Sequence, residues 1–364
     1  MSFHEILIAV MAAFAVLGAV DLLLGNRLGL GEKFREGILA MGELSLAMVG
    51  IVCLAPVLAE VLKPVILPVY RFLGADPAMF AGSILACDMG GGPLARALTE
   101  DPRAAGLGGV ITGSMLGATI VFTIPVAMGI LREEDRPAMA KGILSGMVTI
   151  PLGVFVGGVA AGCPLGMVLG NLTPILILAA LIALGLWRAE GAMVRGFSLF
   201  GKAVAAVATL GLALAIVEGL TGFAILPGMA PISEGFLTVG TIAIVLAGAF
   251  PLVLVLTKLL KRPLLALGRK LGINDTAAAG LIASLANSIA AFGMVKDMNP
   301  RGKVVNIAFA VSGAFVFGDH LGFAAGFAPE LMGPMILGKL AGGVSAVGVA
   351  MLLTRKEAVD DSSE

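Results

Sequence analysis

Eleven stretches of this chain are long and apolar enough to cross a bilayer, and the segments between them are too short to hold a soluble domain. They fall near residues 4 to 24, 37 to 58, 77 to 97, 105 to 130, 138 to 162, 165 to 187, 196 to 220, 235 to 258, 275 to 297, 304 to 328 and 330 to 354. Backbone polar groups in hydrocarbon must bond within their own segment, so the pattern predicts an all-α polytopic membrane protein. Only 13% of residues are charged and the mean hydropathy is +1.04, whereas soluble domains carry about 25% charge. Glycine makes up 51 of 364 residues and aromatics only 5%, as in helices packed closely through small side chains. Lys plus Arg and Asp plus Glu number 24 each, with no basic cluster to track phosphates, which argues against a nucleic-acid partner. Cys53, Cys87 and Cys163 lie in apolar stretches without C-x-x-C spacing and read as packing residues, suggesting neither disulfides nor a metal site. The start of the chain lacks the positive region of a signal peptide, so its first apolar run is expected to remain as a span. Residues 355–364 are expected to form a polar tail.

The chain also resembles itself. A shift of 198 positions pairs Leu62-Lys63 with Leu260-Lys261, Leu73-Gly74 with Leu271-Gly272, Asp76 with Asn274, and Ala81-Gly82 with Ala279-Gly280. Residues 1–162 and 193–354 therefore read as two membrane repeats, with 163–192 as a linking transmembrane helix. Residues 60–72 and 259–271, superposed by the shift, read as short interfacial helices. If all eleven stretches crossed, Lys and Arg would divide almost evenly between the two faces, against the usual cytoplasmic excess. If 77–97 and 275–297 instead dip in and return, one face holds only Lys63, Arg71, Arg96 and Arg103. The other face then holds nineteen, with Lys339 set aside as intramembrane. The expectation is two inverted repeats with re-entrant helical hairpins, about nine to eleven membrane helices, and a cytoplasmic C-terminus. Broken hairpins at the midplane are where inverted-repeat transporters bind substrate.

Ionisable groups inside apolar stretches are costly and mark candidate sites. Asp88 lies in the Gly-rich break Cys87-Asp88-Met89-Gly90-Gly91-Gly92-Pro93, where its carboxylate and the freed backbone can receive a cation; the plainer role is to cap the second arm. Cys87 and Gly90 flank it and join the candidate set. Asp319-His320 sits between Gly318 and Gly322, as ligands or as a self-satisfied pair. Asn287 and Ser288 offer oxygens at the turn of the second hairpin. Thr119 and Thr123 precede a kink expected at Pro125, with interhelical hydrogen bonding as their alternative role. Glu43 and Lys339 are expected to form a structural ion pair, and Asp21 and Glu218 to snorkel to water as scaffolding. There is no G-x-x-x-x-G-K-[ST], H-E-x-x-H or G-x-S-x-G motif, so ATP-driven transport by this chain and the hydrolases those motifs mark are not expected.

At these residues the chain resembles the EutH family, the ethanolamine permeases of bacterial ethanolamine-utilisation operons. The resemblance is carried by Leu46-Ala47-Met48-Val49-Gly50, Leu54-Ala55-Pro56-Val57-Leu58, Met79-Phe80-Ala81-Gly82 and Ala86-Cys87-Asp88-Met89-Gly90-Gly91. It continues through Thr119-Ile120-Val121-Phe122, Ile124-Pro125-Val126-Ala127, Phe292-Gly293-Met294, Arg301-Gly302-Lys303-Val304 and Gly318-Asp319-His320-Leu321-Gly322-Phe323-Ala324-Ala325. It departs at Asn287-Ser288-Ile289-Ala290, where the family pattern has a second Asn and a Pro, and at Glu43, where it has an apolar residue. The resemblance implies an inner-membrane permease that takes up ethanolamine for breakdown by a cobalamin-dependent lyase system, with no cofactor of its own. A small ammonium with one hydroxyl asks for carboxylates plus an amide or hydroxyl, which Asp88, Asp319 and Asn287 supply. A proton or sodium ion as coupling partner and a homodimer are further expectations, and the small-residue pairs Gly157-Gly158 and Gly342-Gly343 permit close helix contacts within or between chains. Two rival readings are the membrane subunit of an ion-pumping decarboxylase complex and an intramembrane aspartyl protease using Asp88 and Asp319; Asp319 follows Val-Phe-Gly rather than Gly-x-Gly.

Overall fold

The structure, a computed structural model, describes residues 3–355, the Glu190 side chain apart; residues 356–364 of the expected polar tail lie outside the described residues. Every described element is helical, and eight helices are long and apolar enough to cross a membrane. In chain order these are α1 (Phe3–Leu23), α2 (Leu30–Phe72), α5 (Pro102–Ile130), α6 (Glu133–Ala160), α7 (Leu165–Ala189), α8 (Gly191–Thr221), α9 (Ile232–Lys270) and α14, whose regular part is Met332–Leu353. Large apolar side chains such as Leu23, Phe72, Val61 and Leu220 point outward, as lipid-facing surfaces require.

The remaining apolar stretches are not single crossings: the third and ninth are hairpins, as expected, and the tenth is broken. The third folds back on itself as α3 (Ala78–Ile84) and α4 (Gly91–Leu98), and the ninth as α10 (Asp275–Ala286) and α11 (Ser288–Met294). Arms of 7 to 12 residues span roughly 10 to 18 Å, well short of a ~30 Å hydrocarbon core. Both hairpins are pinned alike at the base. Asp76 accepts from the Ala78 N–H at 2.8 Å and from the Thr99 hydroxyl at 2.9 Å. Its counterpart Asn274 accepts from the Ala277 N–H and donates to the Asp297 carbonyl, each at 3.0 Å.

The tenth stretch is divided between α12 (Pro300–Gly313) and α13 (Asp319–Phe327). Between them Phe315 adopts φ +60°. The Phe315 and Phe317 N–H groups donate to the Ser284 and Leu285 carbonyls at 3.0 and 2.9 Å, so the second hairpin supplies the partners that broken backbone must have at this depth. The kink expected at Pro125 does not break the fourth stretch. Helix α5 stays continuous through Pro125, wound as π-helix over Gly106–Gly117 and Thr119–Thr123 before Ile124–Ile130. The two expected interfacial helices are likewise corrected, because 60–72 and 259–271 merely continue α2 and α9 to 43 and 39 residues. Asp21 does not snorkel: only 5% exposed, it accepts from the N–H groups of Leu28, Leu30 and Gly31 and so caps the start of α2.

Helices α2 and α9 run antiparallel through close backbone contacts. A methyl group at Gly37 would lie 2.4 Å from the Ala247 nitrogen, and one at Gly235 2.7 Å from Val49 Cγ1. The 198-residue shift turns Gly37 into Gly235 and Val49 into Ala247, so the two contacts are counterparts. Similarly, Gly50 abuts the backbone of Ala208 and Leu212 on α8, while Gly248 abuts that of Met11 on α1. The small-residue pairs once available for a dimer are used inside the chain: Gly157 meets Pro334 and Gly338, Gly158 meets Leu107 and Val168, and Gly342 meets Ser312.

Candidate functional site

A cavity of about 190 Å³ lies where α2, the tip of the first hairpin, α5 and the α12–α13 break converge. Its wall is apolar (Ala40, Leu44, Ala47, Ala86, Met89, Ala118, Phe122 and Phe315) except for Glu43, Asp88, Asp319 and His320. Each charged group is brought there by a local interruption. Asp88 follows the end of α3 in a single tight turn, Cys87–Met89, and Gly90 at φ +98° starts α4. Helix α4 begins without a side-chain cap, so the Asp88 carboxylate is not spent on capping and its side chain keeps 14% exposure. Asp319 and His320 open α13 directly after the unwound segment. They are not a self-satisfied pair: Asp319 lines the cavity, and His320 bonds elsewhere.

His320 Nδ1 lies 3.0 Å from Lys339 Nζ, which also donates to the Ser114 carbonyl at 2.6 Å. His320 Nε2 lies 3.8 Å from Asp88 Oδ1. Phe315 stands 5.2 Å from the imidazole and in turn meets Phe122 edge-on at 5.3 Å. The expected Glu43–Lys339 ion pair is therefore corrected. Lys339, 1% exposed, satisfies itself on Ser114 and His320, while exposed Glu43 stands at the cavity's edge. A Cys87 sulfur, an Asp88 oxygen and a His320 nitrogen also fall within 4.8 Å of one another, donors that suit Zn²⁺. The Lys339 amine on the same imidazole would set a positive charge against a dication there.

Of the other candidates, Cys87 is fully buried behind the wall, and a side chain at Gly90 would strike Ile51. Asn287 lies off the cavity lining, with its side-chain oxygen accepting from the Ile289 N–H at 2.7 Å to cap α11. Ser288 is buried beside it. Thr119 bridges α5 to α12, donating to the Met115 and Val311 carbonyls at 2.7 and 3.1 Å. The sequence reading missed α2 as a cavity wall.

It also missed Arg96. The Arg96 guanidinium lies 3.5 Å over the Phe327 ring and donates to the Phe327 carbonyl, and Phe327 stacks on Phe323 at 4.8 Å. A separate cleft lined by Val52, Ala55, Pro56, Glu234 and Thr238 reaches Arg96 and Phe327. The cavity touches α2 at residues 40–47 and this cleft touches it at 52–56, a separation of roughly 16 Å between midpoints along the helix.

A family model described as ethanolamine utilisation protein EutH matches residues 3–353. A relative in Listeria monocytogenes, named a probable ethanolamine permease EutH, is 55% identical over 98% of this chain and 95% of its own. A relative in Escherichia coli of the same name is 47% identical, covering 98% and 97%. Bacillus subtilis protein YxeR, named as uncharacterized, is 52% identical, covering 97% and 96%. No solved structure matches the chain.

Proposed function

This chain belongs to the EutH family of ethanolamine utilisation proteins, and we propose that it is a permease carrying ethanolamine across the bacterial cytoplasmic membrane. The observation that carries this reading is the cavity lining, three carboxylates and one imidazole in an otherwise apolar wall. Such a wall asks for a small cation, because unpaired carboxylates in low dielectric are costly. The cavity is smaller than the ~300–1,000 Å³ typical of larger ligands, which suits a molecule of four heavy atoms.

Transport follows by alternating access between halves of inverted topology. The reciprocal contacts of Gly37 with Ala247 and Gly235 with Val49 support that symmetry. Arg96 and Phe327 form the closure on the face poor in Lys and Arg, the outer face under the positive-inside rule. Links such as Lys258 to the Leu28 carbonyl, Lys303 to Asp135 and Arg301 to the Thr354 carbonyl join segments assigned to the cytoplasmic side. On this assignment the C-terminus is cytoplasmic.

The test is uptake of labelled ethanolamine into proteoliposomes, with Asp88→Asn and Asp319→Asn alongside and with imposed proton or sodium gradients. Saturable uptake, falling roughly tenfold or more in each variant, is expected, since each loses a charged hydrogen-bond acceptor. Acceleration by one gradient identifies the coupling ion. No uptake by folded wild-type protein, or full uptake by both variants, would defeat the proposal.

A further inference from the structure

Behind the acidic lining, one hydrogen-bond arrangement is more specific than cation binding requires. Lys339 directs its amine at two acceptors, the Ser114 carbonyl at 2.6 Å and His320 Nδ1 at 3.0 Å. With Lys339 as an ammonium, which has donors only, Nδ1 accepts from it and the imidazole carries its proton on Nε2. Phe315 covers the imidazole at 5.2 Å. The protonated Nε2 stands 3.8 Å from Asp88 Oδ1. That gap is too long for a direct hydrogen bond. It lets one oxygen atom, set beside the line between the two, sit about 2.9 Å from each.

A donor N–H and an acceptor carboxylate at this spacing match one functional group in particular. A hydroxyl accepts the Nε2 hydrogen through its lone pair and gives its own proton to Asp88. An ammonium has no lone pair for the Nε2 hydrogen and turns instead to Asp319 and Glu43, the other carboxylates of the lining. We propose that His320 Nε2–H and Asp88 Oδ1 form a hydroxyl subsite, and that Lys339 is the positioning residue that fixes the required tautomer. The subsite selects an amino alcohol over a plain amine of equal length. This rests on the ethanolamine reading above and adds the basis of its selectivity.

The experiment is calorimetric binding of ethanolamine, ethylamine and 2-methoxyethylamine to the purified full chain in detergent. Wild-type protein should favour ethanolamine over both analogues by roughly ten- to a hundredfold, the effect of leaving a buried donor or acceptor unpaired. His320→Phe and Lys339→Met should reduce that preference, taken as the ratio of affinities within each variant, to within about threefold, and His320→Gln, which keeps an N–H, should restore part of it. Monodisperse elution and a retained unfolding temperature show that the variants fold, and the ratio within each variant separates selectivity from a general change in amine binding. An unchanged preference in both variants would overturn the hydroxyl subsite and leave the transport reading standing. Wild-type protein binding 2-methoxyethylamine as well as ethanolamine would overturn it however the variants fold. Wild-type protein binding neither ethanolamine nor ethylamine would overturn both readings.

Discussion

Replacing Gly90 with alanine isolates what holds the first hairpin tip, and with it Asp88, against α2. Gly90 adopts φ +98°, and an added Cβ would lie 2.0 Å from Ile51 Cγ2 and 2.9 Å from Ile51 Cβ. The backbone conformation alone costs an alanine about 1–2 kcal/mol. Forcing the tip away from Ile51 adds about 1–3 kcal/mol of overpacking, for a total of about 2–5 kcal/mol. The two parts are largely separable, because Ile51→Ala removes the closest clash, at Cγ2, and leaves the backbone strain with the 2.9 Å contact to the Cβ of residue 51. Ile51 is 2% exposed, so that truncation by itself should cost about 2–5 kcal/mol. The double variant should then be more stable than the sum of the singles by about 1–3 kcal/mol, the overlap term. Unfolding in mixed detergent micelles measures the cycle, and ethanolamine binding reports whether Asp88 has moved. Additivity to within about 0.5 kcal/mol would refute the claim that the tip is wedged on Ile51.

Two further outcomes are expected. Arg96→Ala removes a cation–π contact and a charged hydrogen bond to Phe327, so a single cysteine placed on the cavity lining by Ala47→Cys, with the three native cysteines replaced, should react about tenfold faster with an impermeant thiol reagent from the Arg96 face; an unchanged rate would exclude Arg96 as the outer closure. Asp101, held below the usual carboxylate range chiefly by the Arg103 side-chain hydrogen bond, also accepts from the Arg103 N–H at the head of α5. Its folded-state pKa lies below the unfolded one, so its stabilisation is complete above about pH 3.9 and fades as pH falls through the folded value. Asp101→Ala should therefore cost about 0.5–2 kcal/mol at pH 7 and progressively less below pH 3.9; a cost that grew in acid would contradict this assignment.

What the sequence disclosed and what it hid divide along physical lines. Membrane class followed from hydropathy, and the first hairpin from the Gly-rich run after Asp88, because lipid depth allows few reasons for such a break. Asp88, Asp319 and His320 stood out because charge in hydrocarbon is expensive. Glu43 was misjudged by the same logic: paired in thought with Lys339 as the remaining intramembrane charge, it was denied a place in the cavity. The pairing depended on which faces of α2 and α14 look inward, and no local pattern encodes that. The roles of Lys339 and Arg96 were hidden for the same reason, since their partners His320, Ser114 and Phe327 lie 19, 225 and 231 positions away. The π-winding of α5 stays hidden because Pro125 signals only an interruption, while close glycine contacts, such as Gly117 against the Leu85 carbonyl, involve backbones from elsewhere in the fold.

The crossed glycine contacts of α2 and α9 bear on how the chain is made. The Gly50 surface of α2 is completed only by the backbone around Ala208, and the Gly248 surface of α9 only by that around Met11. During synthesis α2 must therefore wait in the bilayer, its groove filled by lipid, until more than 150 further residues have left the ribosome. A fragment ending near residue 162 would insert but keep that groove open, and would be a substrate for membrane quality control. Two such half-length fragments made in one cell would each supply the surface the other lacks.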